Sequence, residues 1–396
     1  MKNVAVPSLL LMIVLVAFPQ ISETIYTPSL PDISAVLGVS SNDVQLTLSL
    51  YFVGFALGVF GWGWLSDRIG RRPAMLGGLL VYGLGSLMCL YSESISMLLV
   101  SRFIQAFGAA TGSIITQTIL RESVSGQKRH AMFAQISAVI AFTPAVGPLI
   151  GGWIDQALGF RAVFFSLVAM SVFLLIYAFL RLPETTDVSK RNKVAILPIL
   201  KRMLALPRVL VFGLLIGGIN GILFSYYAEA PFIFIEHFRV SPGVYGLLGV
   251  IVALASVIGA MVSKRLLTVQ APEKTIHNGC LVMTAGAFLL TIVSSLDSLN
   301  MLPDLAVSMG MLLTVFILLL GAGIALPNCL SLALVRFQDV VGTAGAVFSL
   351  GYYLLVSLTT WGMSALHNGS LMTMPLYFLG ISVFLWLFSK KFITQE

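Results

Sequence analysis

Three ionisable side chains lie inside long apolar segments, where a charge is costly and usually functional: Glu23, Arg102 and Glu229. Burial disfavours the charged form of a carboxyl group, whereas a nearby arginine favours it. A carboxyl group whose surroundings alternate between these conditions can therefore bind a proton in one state and release it in the other. The chemistry that these residue types indicate is proton transfer across a membrane.

Each of the two acids has more than one interpretation. Glu23 is expected to be the main proton carrier, with Arg102 modulating it; the alternative is a fixed ion pair between them that braces two helices. Glu229 is expected to be a second carrier or a binding group for cationic substrates; the alternative is a structural hydrogen bond beside the bend at Pro231. Counted at 1.5 Å per residue from the nearer helix end, all three ionisable groups lie roughly 8–10 Å deep, near one level.

The composition is that of a protein embedded in a membrane. Of 396 residues, 58% are hydrophobic and only 10% are charged, whereas a soluble domain carries about 25% charged residues. The net charge of +7 does not indicate a nucleic-acid partner, because the basic residues are spread over short loops. Cys89, Cys280 and Cys329 lie in apolar runs without CxxC spacing, so neither a disulfide nor a metal site is expected, and no cofactor.

Roughly twelve apolar runs are long enough to cross a bilayer, which takes about 20 residues. They are Ser8–Leu30, Val44–Leu65, Ala74–Tyr91, Met97–Leu120, Ala131–Asp155, Arg161–Leu182, Val209–Ile235, Pro242–Ser263, Thr275–Leu296, Leu305–Leu334, Gly342–Leu366 and Leu371–Ser389. A long polar break separates two groups of six. We therefore expect an all-α integral membrane protein with an N-terminal bundle at 1–183, a cytoplasmic linker at 184–207 and a C-terminal bundle at 208–396.

The basic residues predict the orientation of the chain. If the N-terminus is cytoplasmic, all 23 lysines and arginines except Arg102, Arg161 and Arg239 fall on the cytoplasmic side, as the positive-inside rule requires. An even number of spans places the C-terminus on the same side. The expected location is the inner membrane of a bacterium, where the protein is expected to be a monomer in the lipid bilayer with both termini in the cytoplasm.

The loop between the second and third spans carries a dense polar motif. Its spacing, Gly-x-x-x-Asp-Arg-x-Gly-Arg-Arg, resembles the loop signature of the major facilitator superfamily of transporters. A plain anchor loop that arginines hold in the cytoplasm is the alternative. The residues of this loop that we expect to take part in gating are Gly63, Asp67, Arg68, Gly70, Arg71 and Arg72.

The same resemblance implies a partner for the acid of this loop. In the superfamily the loop faces the start of the eleventh span, which here is expected near Asp339 to Thr343. The N-terminus of a helix favours a carboxylate, so Asp67 is expected to stabilise this contact while the inner gate is closed. Arg121 or Glu122, at the inner end of the fourth span, is expected to extend the charge network.

Further motifs resemble the same superfamily. Arg102 begins the motif Arg-Phe-Ile-Gln-Ala-Phe-Gly in the fourth span, and the fifth span carries a pattern typical of drug antiporters. That pattern consists of Pro144, Gly147, Pro148, Gly151 and Gly152. The stretches Gln20–Pro31, Gln45–Tyr51 and Gly342–Ala346 resemble the bicyclomycin and chloramphenicol-type efflux branch. Membership implies two pseudo-symmetric six-helix bundles and proton-coupled export by alternating access.

A cavity between the bundles is expected to have aromatic walls and a few polar groups, which suits a bulky amphipathic small molecule. An acid near aromatic rings also suits lipophilic cations. The residues expected to line the cavity are Gln20, Tyr26, Gln45, Tyr51, Asn220, Phe224, Tyr227, Phe232, Asn328, Tyr352 and Tyr353.

Three functional classes are consistent with a long apolar chain. The first is a proton-coupled exporter of drugs or hydrophobic metabolites. The second is a dedicated carrier of a native solute such as a siderophore or a peptide-like metabolite, and the motifs do not separate it from the first. The third is a membrane enzyme or receptor, which the sequence disfavours because HExxH, GxSxG and Walker motifs are absent and the number of spans does not fit a seven-helix receptor.

Overall fold

The computed structural model describes residues 7–123, 126–185, 196–299 and 301–392, and the regular elements in these residues are helical. The N-terminal helices are α1 (Leu9–Thr24), α2 (Leu30–Leu37), α3 (Ser41–Ile69), α4 (Arg71–Leu90), α5 (Ile95–Ser123), α6 (Gly126–Leu158) and α7 (Phe160–Arg181). They are followed by α8 (Ile196–Leu204), α9 (Pro207–Pro231), α10 (Pro242–Leu266), α11 (Pro272–Ser298), α12 (Asp304–Ala333), α13 (Val341–Leu366) and α14 (Thr373–Phe392).

Within the described residues, 11 helical segments are long and apolar enough to cross a membrane. The first of them consists of α1 and α2 together. Helix α6, which is 33 residues long, covers the fifth predicted run, although many of its side chains lie outside the described part of the chain. The chain is therefore a multi-pass membrane protein, and the expected all-α fold is confirmed.

The first span is interrupted near its outer third. Helix α1 ends at Thr24, a 3₁₀ turn follows at Thr27–Ser29, and α2 continues to Leu37. Pro28 has no backbone N–H to donate, which favours a break at this point. The span is therefore longer than the predicted Ser8–Leu30 run and is not a single straight helix.

The seventh span is interrupted in the equivalent place. Helix α9 ends at Pro231 and passes into a π-helical segment, Phe232–His237. Glu229 lies in the last turn of α9, as Glu23 lies in the last turn of α1. Irregular backbone at membrane depth is tolerated where it lines a cavity or is buried in protein. Both acids thus lie beside the kind of interruption at which transporters bind ions and substrates.

Helices α3 and α13 run side by side along the boundary between the N-terminal and C-terminal helices, and we call this contact the α3–α13 seam. At mid-depth the hydroxyl of Ser357 donates to the backbone carbonyl of Ser49 at 2.8 Å. Further along, a Cβ atom added to Gly63 would lie 3.8 Å from the methyl group of Ala346. This is an ordinary van der Waals separation, so the two helices are also in contact at this level.

We call the end of the bundle that carries Ser40, Gly159 and His367 the outer end, and the end that carries Gly70 and Glu184 the inner end. These names follow the orientation predicted from the basic residues.

Helices α6 and α10 form the second contact between the two sets of helices. A Cβ atom on Gly152 of α6 would overlap the backbone carbonyl of Pro242, and a Cβ atom on Gly246 of α10 would meet that of Pro148. Because glycine has no Cβ, the two backbones pack directly against each other.

The predicted linker contains structure of its own. Helix α8 lies within the predicted 184–207 segment, and its buried residues Ile199 and Met203 pack against Phe337 and Val347 near the start of α13. Residues 186–195 of the linker lie outside the described part of the chain. The second half of the linker is thus an amphipathic helix rather than a continuous polar strand of chain.

Candidate transport site

Arg102 is buried at the centre of the N-terminal helices, on α5, with no exposed surface. Its Nη1 atom donates to the side-chain carbonyl of Gln105 and, at 3.5 Å, to the backbone carbonyl of Ser22. Its guanidinium carbon lies 3.8 Å from the ring centre of Tyr26 and 4.3 Å from that of Tyr51. A cation–π contact contributes roughly 0.5–2 kcal/mol, so the two rings hold the charged group between them.

Glu23 lies beside Arg102 without forming an ion pair with it. The Arg102 charge acts on the Glu23 carboxylate. Among the described ion pairs, however, none joins these two residues. The Nε and Nη2 atoms of Arg102 are buried without a hydrogen-bond partner. The structure therefore brings the two groups within electrostatic range and does not show the fixed ion pair that was the alternative expectation.

The Glu23 carboxylate faces the boundary between the two sets of helices. Its charge acts on the phenol groups of Tyr51, Tyr227, Tyr352 and Tyr353. These rings belong to α3, α9 and α13, so they come from both sides of the boundary. A change in how the two sides pack would therefore change the surroundings of Glu23 directly.

Aromatic rings from α3, α9 and α13 meet at mid-depth in a group that we call the aromatic bridge. Its members are Tyr51, Phe52, Phe55, Phe224, Tyr227, Tyr352 and Tyr353. The ring centres of Phe52 and Phe224 are 4.4 Å apart, and those of Phe55 and Tyr353 are 4.8 Å apart. Phe52 and Phe55 were not among the expected cavity residues. The spacing of Phe55, four residues after Tyr51 on one helix, was a usable signal, whereas that of Phe52 was not.

Three polar residues that were expected to line the cavity have no described hydrogen bond to the aromatic bridge. Asn328 donates to the hydroxyl of Ser263 at 2.7 Å, which ties α12 to α10 among the C-terminal helices. Asn220 donates to the carbonyl of Ile216 in its own helix at 2.9 Å. Gln20 is half-buried on α1, one turn before the end of that helix. The hydrogen bonds described for these residues do not join them to the aromatic bridge.

Glu229 is the centre of a separate polar group near the outer end, the outer cluster, formed by Gln45, Glu229 and His367. Glu229 is 1% exposed. The Nε2 atom of Gln45 donates to one Glu229 oxygen at 2.7 Å, and the Nδ1 atom of His367 lies 2.8 and 2.9 Å from the two oxygens. The ring of Phe232 packs on that of His367, with centres 5.4 Å apart. The cluster joins α3 to the C-terminal helices.

His367 is the functional candidate that sequence reasoning missed. It follows the last residue of α13, outside the apolar run that predicted the eleventh span. The usable signal was a titratable residue at the outer end of a span, on the same side of the membrane as Glu229. Counting residues from a helix end estimates depth and does not determine which face of the helix a side chain occupies. Counting placed Glu229 near the same depth as Glu23, and the structure gives the two acids different partners: Gln45 and His367 for Glu229, and the Arg102 charge for Glu23.

At the inner end, Arg71 is held between two acids. Its guanidinium group lies 2.5 Å from Asp67 and 2.7 Å from Glu122, and it donates to the hydroxyl of Ser66 at 2.7 Å. These residues belong to α3, α4 and α5, so the network braces the N-terminal helices. The Asp67 side chain is 53% exposed. The side chain of Asp339, near the expected partner helix, lies outside the described part.

The turn between α3 and α4 depends on Gly70, whose φ of 107° is unfavourable for other residues. The carboxylate of Glu184 accepts hydrogen bonds from the backbone N–H groups of Arg71 and Arg72, at 3.0 and 3.1 Å. Glu184 thus caps the N-terminus of α4, where the helix dipole favours a negative charge. Arg68 stacks on a tryptophan of α3, with its guanidinium carbon 3.7 Å from the ring centre.

The glycines of α6 fit the break in the first span. A Cβ atom on Gly147 would meet the hydroxyl of Thr24, and one on Gly151 would overlap the carbonyl of Ile25. Helix α6 therefore packs directly on the end of α1, next to Glu23. The side chain of Pro144 lies outside the described part of the chain.

The fold and its motifs agree with the comparison against known families. A sequence profile described as Major Facilitator Superfamily matches residues 12–360. Because this match covers most of the chain, the protein belongs to the major facilitator superfamily of membrane transporters.

The chain is also similar to individual relatives and to a solved structure. An uncharacterized transporter of Rickettsia felis is 32% identical over 400 residues, covering 97% of this chain and 95% of the relative. A chloramphenicol resistance protein of Pseudomonas aeruginosa is 29% identical over 363 residues, covering 90% of this chain and 84% of the relative. The solved structure of the xylose transporter XylE from E. coli, in a partially occluded inward-open conformation, has a TM-score of 0.77 at 14% identity and covers 98% of each chain.

Proposed function

We propose that this protein is a proton-coupled antiporter that exports hydrophobic or amphipathic compounds across the inner membrane by alternating access. The observation that carries the proposal is the position of Glu23. This acid is buried at the boundary between the two sets of helices, within range of the Arg102 charge and of four tyrosines from three helices. Such a group is suited to exchange a proton when the boundary rearranges.

The proton step follows from the surroundings of Glu23. When the outer end opens, water reaches the carboxylate and a proton binds from outside. When the outer end closes and the inner end opens, the guanidinium group of Arg102 favours the ionised carboxylate, and the proton leaves to the cytoplasm. The two rings that hold Arg102 keep its charge in place through the cycle, and its unpartnered Nε and Nη2 atoms leave it capacity to bind the ionised acid.

The aromatic bridge is the proposed substrate contact. It combines large apolar rings from both sides of the boundary with several phenol groups, which suits a bulky ligand that carries few polar atoms. The carboxylate beside the rings also favours a lipophilic cation. The relative named as a chloramphenicol resistance protein supports a drug-like cargo, because it matches this chain over most of its length.

Transport into proteoliposomes tests the proposal. The purified protein is reconstituted into liposomes with an acidic lumen, and the uptake of tetraphenylphosphonium and of chloramphenicol is followed with the membrane potential clamped. We expect uptake above that of empty liposomes, because antiport exchanges luminal protons for external drug. Glu23→Gln is expected to abolish the gradient-driven part, whereas Glu93→Gln, which alters an exposed acid of an outer loop, leaves it unchanged.

Uptake equal to that of empty liposomes for both compounds would refute drug export. A screen of zwitterionic metabolites in the same liposomes then distinguishes the second candidate, a dedicated carrier of a native solute. If a pH gradient drives none of these compounds, the protein is not a proton antiporter of this kind.

A further inference from the structure

The outer cluster contains a buried carboxylate that needs a positive charge nearby. Both oxygens of Glu229 lie within 2.9 Å of the His367 Nδ1 atom, and Gln45 donates the other hydrogen bond, at 2.7 Å. Among the described ion pairs, that with His367 is the one that involves Glu229. An unpaired buried carboxylate is strongly destabilising, so a protonated His367 balances the charge.

A cavity connects the pair to the outer end. It has a volume of about 420 Å³ and is lined by Glu229 and His367 and by the polar residues Glu236, His237 and Arg239. The outer loop at 369–371 forms part of its wall. Polar and charged walls of this kind admit water and therefore protons from the outer side.

The charges around His367 favour its protonated form. Burial by itself lowers the pKa of His367, but the hydrogen bond and the charge of Glu229, together with the charge of Glu236, outweigh it, so that the pKa is raised above its ordinary value. His237 and Arg239 line the same cavity, whereas the groups that α3 presents, Gln45 and Asn42, are uncharged amides.

Hydrogen bonds at the outer cluster also join the two sets of helices. The side chain of Asn42 donates to the backbone carbonyl of His367 at 2.9 Å and to that of Ser364 at 2.6 Å. Gln45, one turn further along α3, holds Glu229. The residue that carries the proton is therefore attached by its backbone and through its ion-pair partner to α3. A change in its charge acts on the contact that closes the outer end.

We propose that Glu229 and His367 form a second proton-binding site, loaded from the outer side, and that proton binding there closes the outer end of the transporter. The inference rests on the proposed proton antiport and adds to it a site that Glu23 does not supply. With the proton bound, the imidazolium pairs with Glu229 and holds α13 and α9 against α3. When the proton leaves, the buried carboxylate loses its counter-charge, water enters the cavity, and the outer contacts separate. Site occupancy and opening are thus linked in both directions.

The test measures outer opening as a function of pH. Ser49→Cys introduces a thiol in the α3–α13 seam while it keeps the backbone carbonyl that binds Ser357, and the native cysteines Cys89, Cys280 and Cys329 are fully buried. A membrane-impermeant maleimide is added to the outer side of oriented vesicles at about pH 5.5 and about pH 8.5. Each labelling rate is divided by the rate of the unfolded protein at the same pH, because a thiol reacts faster as its thiolate fraction rises. We expect labelling to be about tenfold faster at the higher pH. A difference of about one pKa unit between the closed and open states changes the opening equilibrium by this factor.

His367→Asn is the decisive variant, since an amide can replace the Nδ1 donor but cannot titrate. We expect its labelling rate to be high and independent of pH, because the neutral amide leaves the buried Glu229 carboxylate without a counter-charge at every pH. The control is His277→Asn, which alters a histidine of α11 that contacts Ser389, and it should keep the wild-type pH response. If His367→Asn does not fold, as judged by its melting curve, His367→Gln provides the same comparison.

The outcomes separate the two proposals. If His367→Asn keeps the wild-type pH dependence while a pH gradient still drives efflux, the second proton site is wrong and the antiport proposal stands. If the wild-type protein shows no gradient-driven transport of any tested compound, the antiport proposal itself fails. A pH-independent labelling rate in the wild type contradicts the second site directly.

Discussion

Asn42 and Ser364 exchange hydrogen bonds across the boundary between the two sets of helices. The Asn42 side chain donates to the Ser364 carbonyl at 2.6 Å, and the Ser364 hydroxyl donates to the Asn42 carbonyl at 2.7 Å. Each residue is thus both donor and acceptor for the other, and the pair adjoins the outer cluster. Under the proposed alternating access, this reciprocal contact breaks each time the outer end opens.

Removing this contact should favour opening of the outer end. Asn42→Ala deletes the bonds to the carbonyls of Ser364 and His367, each of which contributes about 0.5–1.5 kcal/mol. We expect faster maleimide labelling of Ser49→Cys from the outer side, by about tenfold for each 1.4 kcal/mol lost. Ser298→Ala, which removes a hydroxyl bonded only to its own helix, is the control. Equal labelling in both variants would mean that Asn42 does not stabilise the closed outer end.

The inner end should respond to a change in the charge of Asp67. This acid binds Arg71 in the loop beside the point where Gly63 meets Ala346. We expect Asp67→Asn to weaken the inner contact and to raise the labelling of Ala346→Cys from the cytoplasmic side. Glu122→Gln serves as the comparison, because it weakens the Arg71 network on the side of α5. An unchanged labelling rate in Asp67→Asn contradicts the gating role of this loop.

The turn at Gly70 should tolerate no side chain. Its φ of 107° is unfavourable for alanine, and the new Cβ would meet the carboxylate of Glu184. Strained backbone of this type costs about 1–3 kcal/mol, so Gly70→Ala is expected to lower the melting temperature in detergent by several degrees. Gly380→Ala is the matched control, since a Cβ there has no neighbour within 4 Å. If the two variants have the same melting temperature, neither the strain nor the clash is significant.

The aromatic bridge should determine affinity for substrate. Tyr353 packs on Phe55 with ring centres 4.8 Å apart, at the junction of the rings from α3 and α13. We expect Tyr353→Leu to raise the KM for tetraphenylphosphonium by about tenfold, as the loss of about 1.4 kcal/mol of ring contact implies. Phe384→Leu alters an exposed ring of α14 and should leave KM unchanged. A KM for Tyr353→Leu within error of the control would place the substrate elsewhere.

The pH dependence of stability should report on His367. Because its pKa is raised in the folded protein, its protonation stabilises the fold. This contribution is complete below the ordinary value of 6.5 and is lost as pH rises through the higher folded-state pKa. We therefore expect the melting temperature to fall above pH 6.5 in the wild type and to lose this component in His367→Asn. Parallel melting curves for the two proteins across this range would contradict the assignment.

The fold was predictable because the membrane restricts the possible elements. Long apolar runs with short basic loops leave only helices as spanning structures, so span number and positions follow from counting residues. The contact of Arg102 with the first span could also be predicted, because the depths of Arg102 and Glu23 both follow from counting residues along their helices. The breaks after Thr24 and Pro231 were harder to predict from the sequence. A proline can distort a helix in several ways, and tertiary contacts select among them.

The direction in which each side chain points around its helix axis was not predictable from depth alone. Glu229, Glu23 and Arg102 lie at similar predicted depths, yet Glu229 faces Gln45 and His367. The difference is set by helix packing, which single-sequence periodicity does not determine. Asn328 illustrates the same limit, since its amide is used to join α12 to α10.

The α3–α13 seam has a practical consequence. Its contacts at Asn42, Ser49 and Gly63 lie on one helix at successive depths, each opposite a known residue of the other helix. Paired cysteines at these three levels would form a molecular ruler inside the transporter. Cross-linking at one level and not at another would show to what depth α3 and α13 have separated at each stage of turnover.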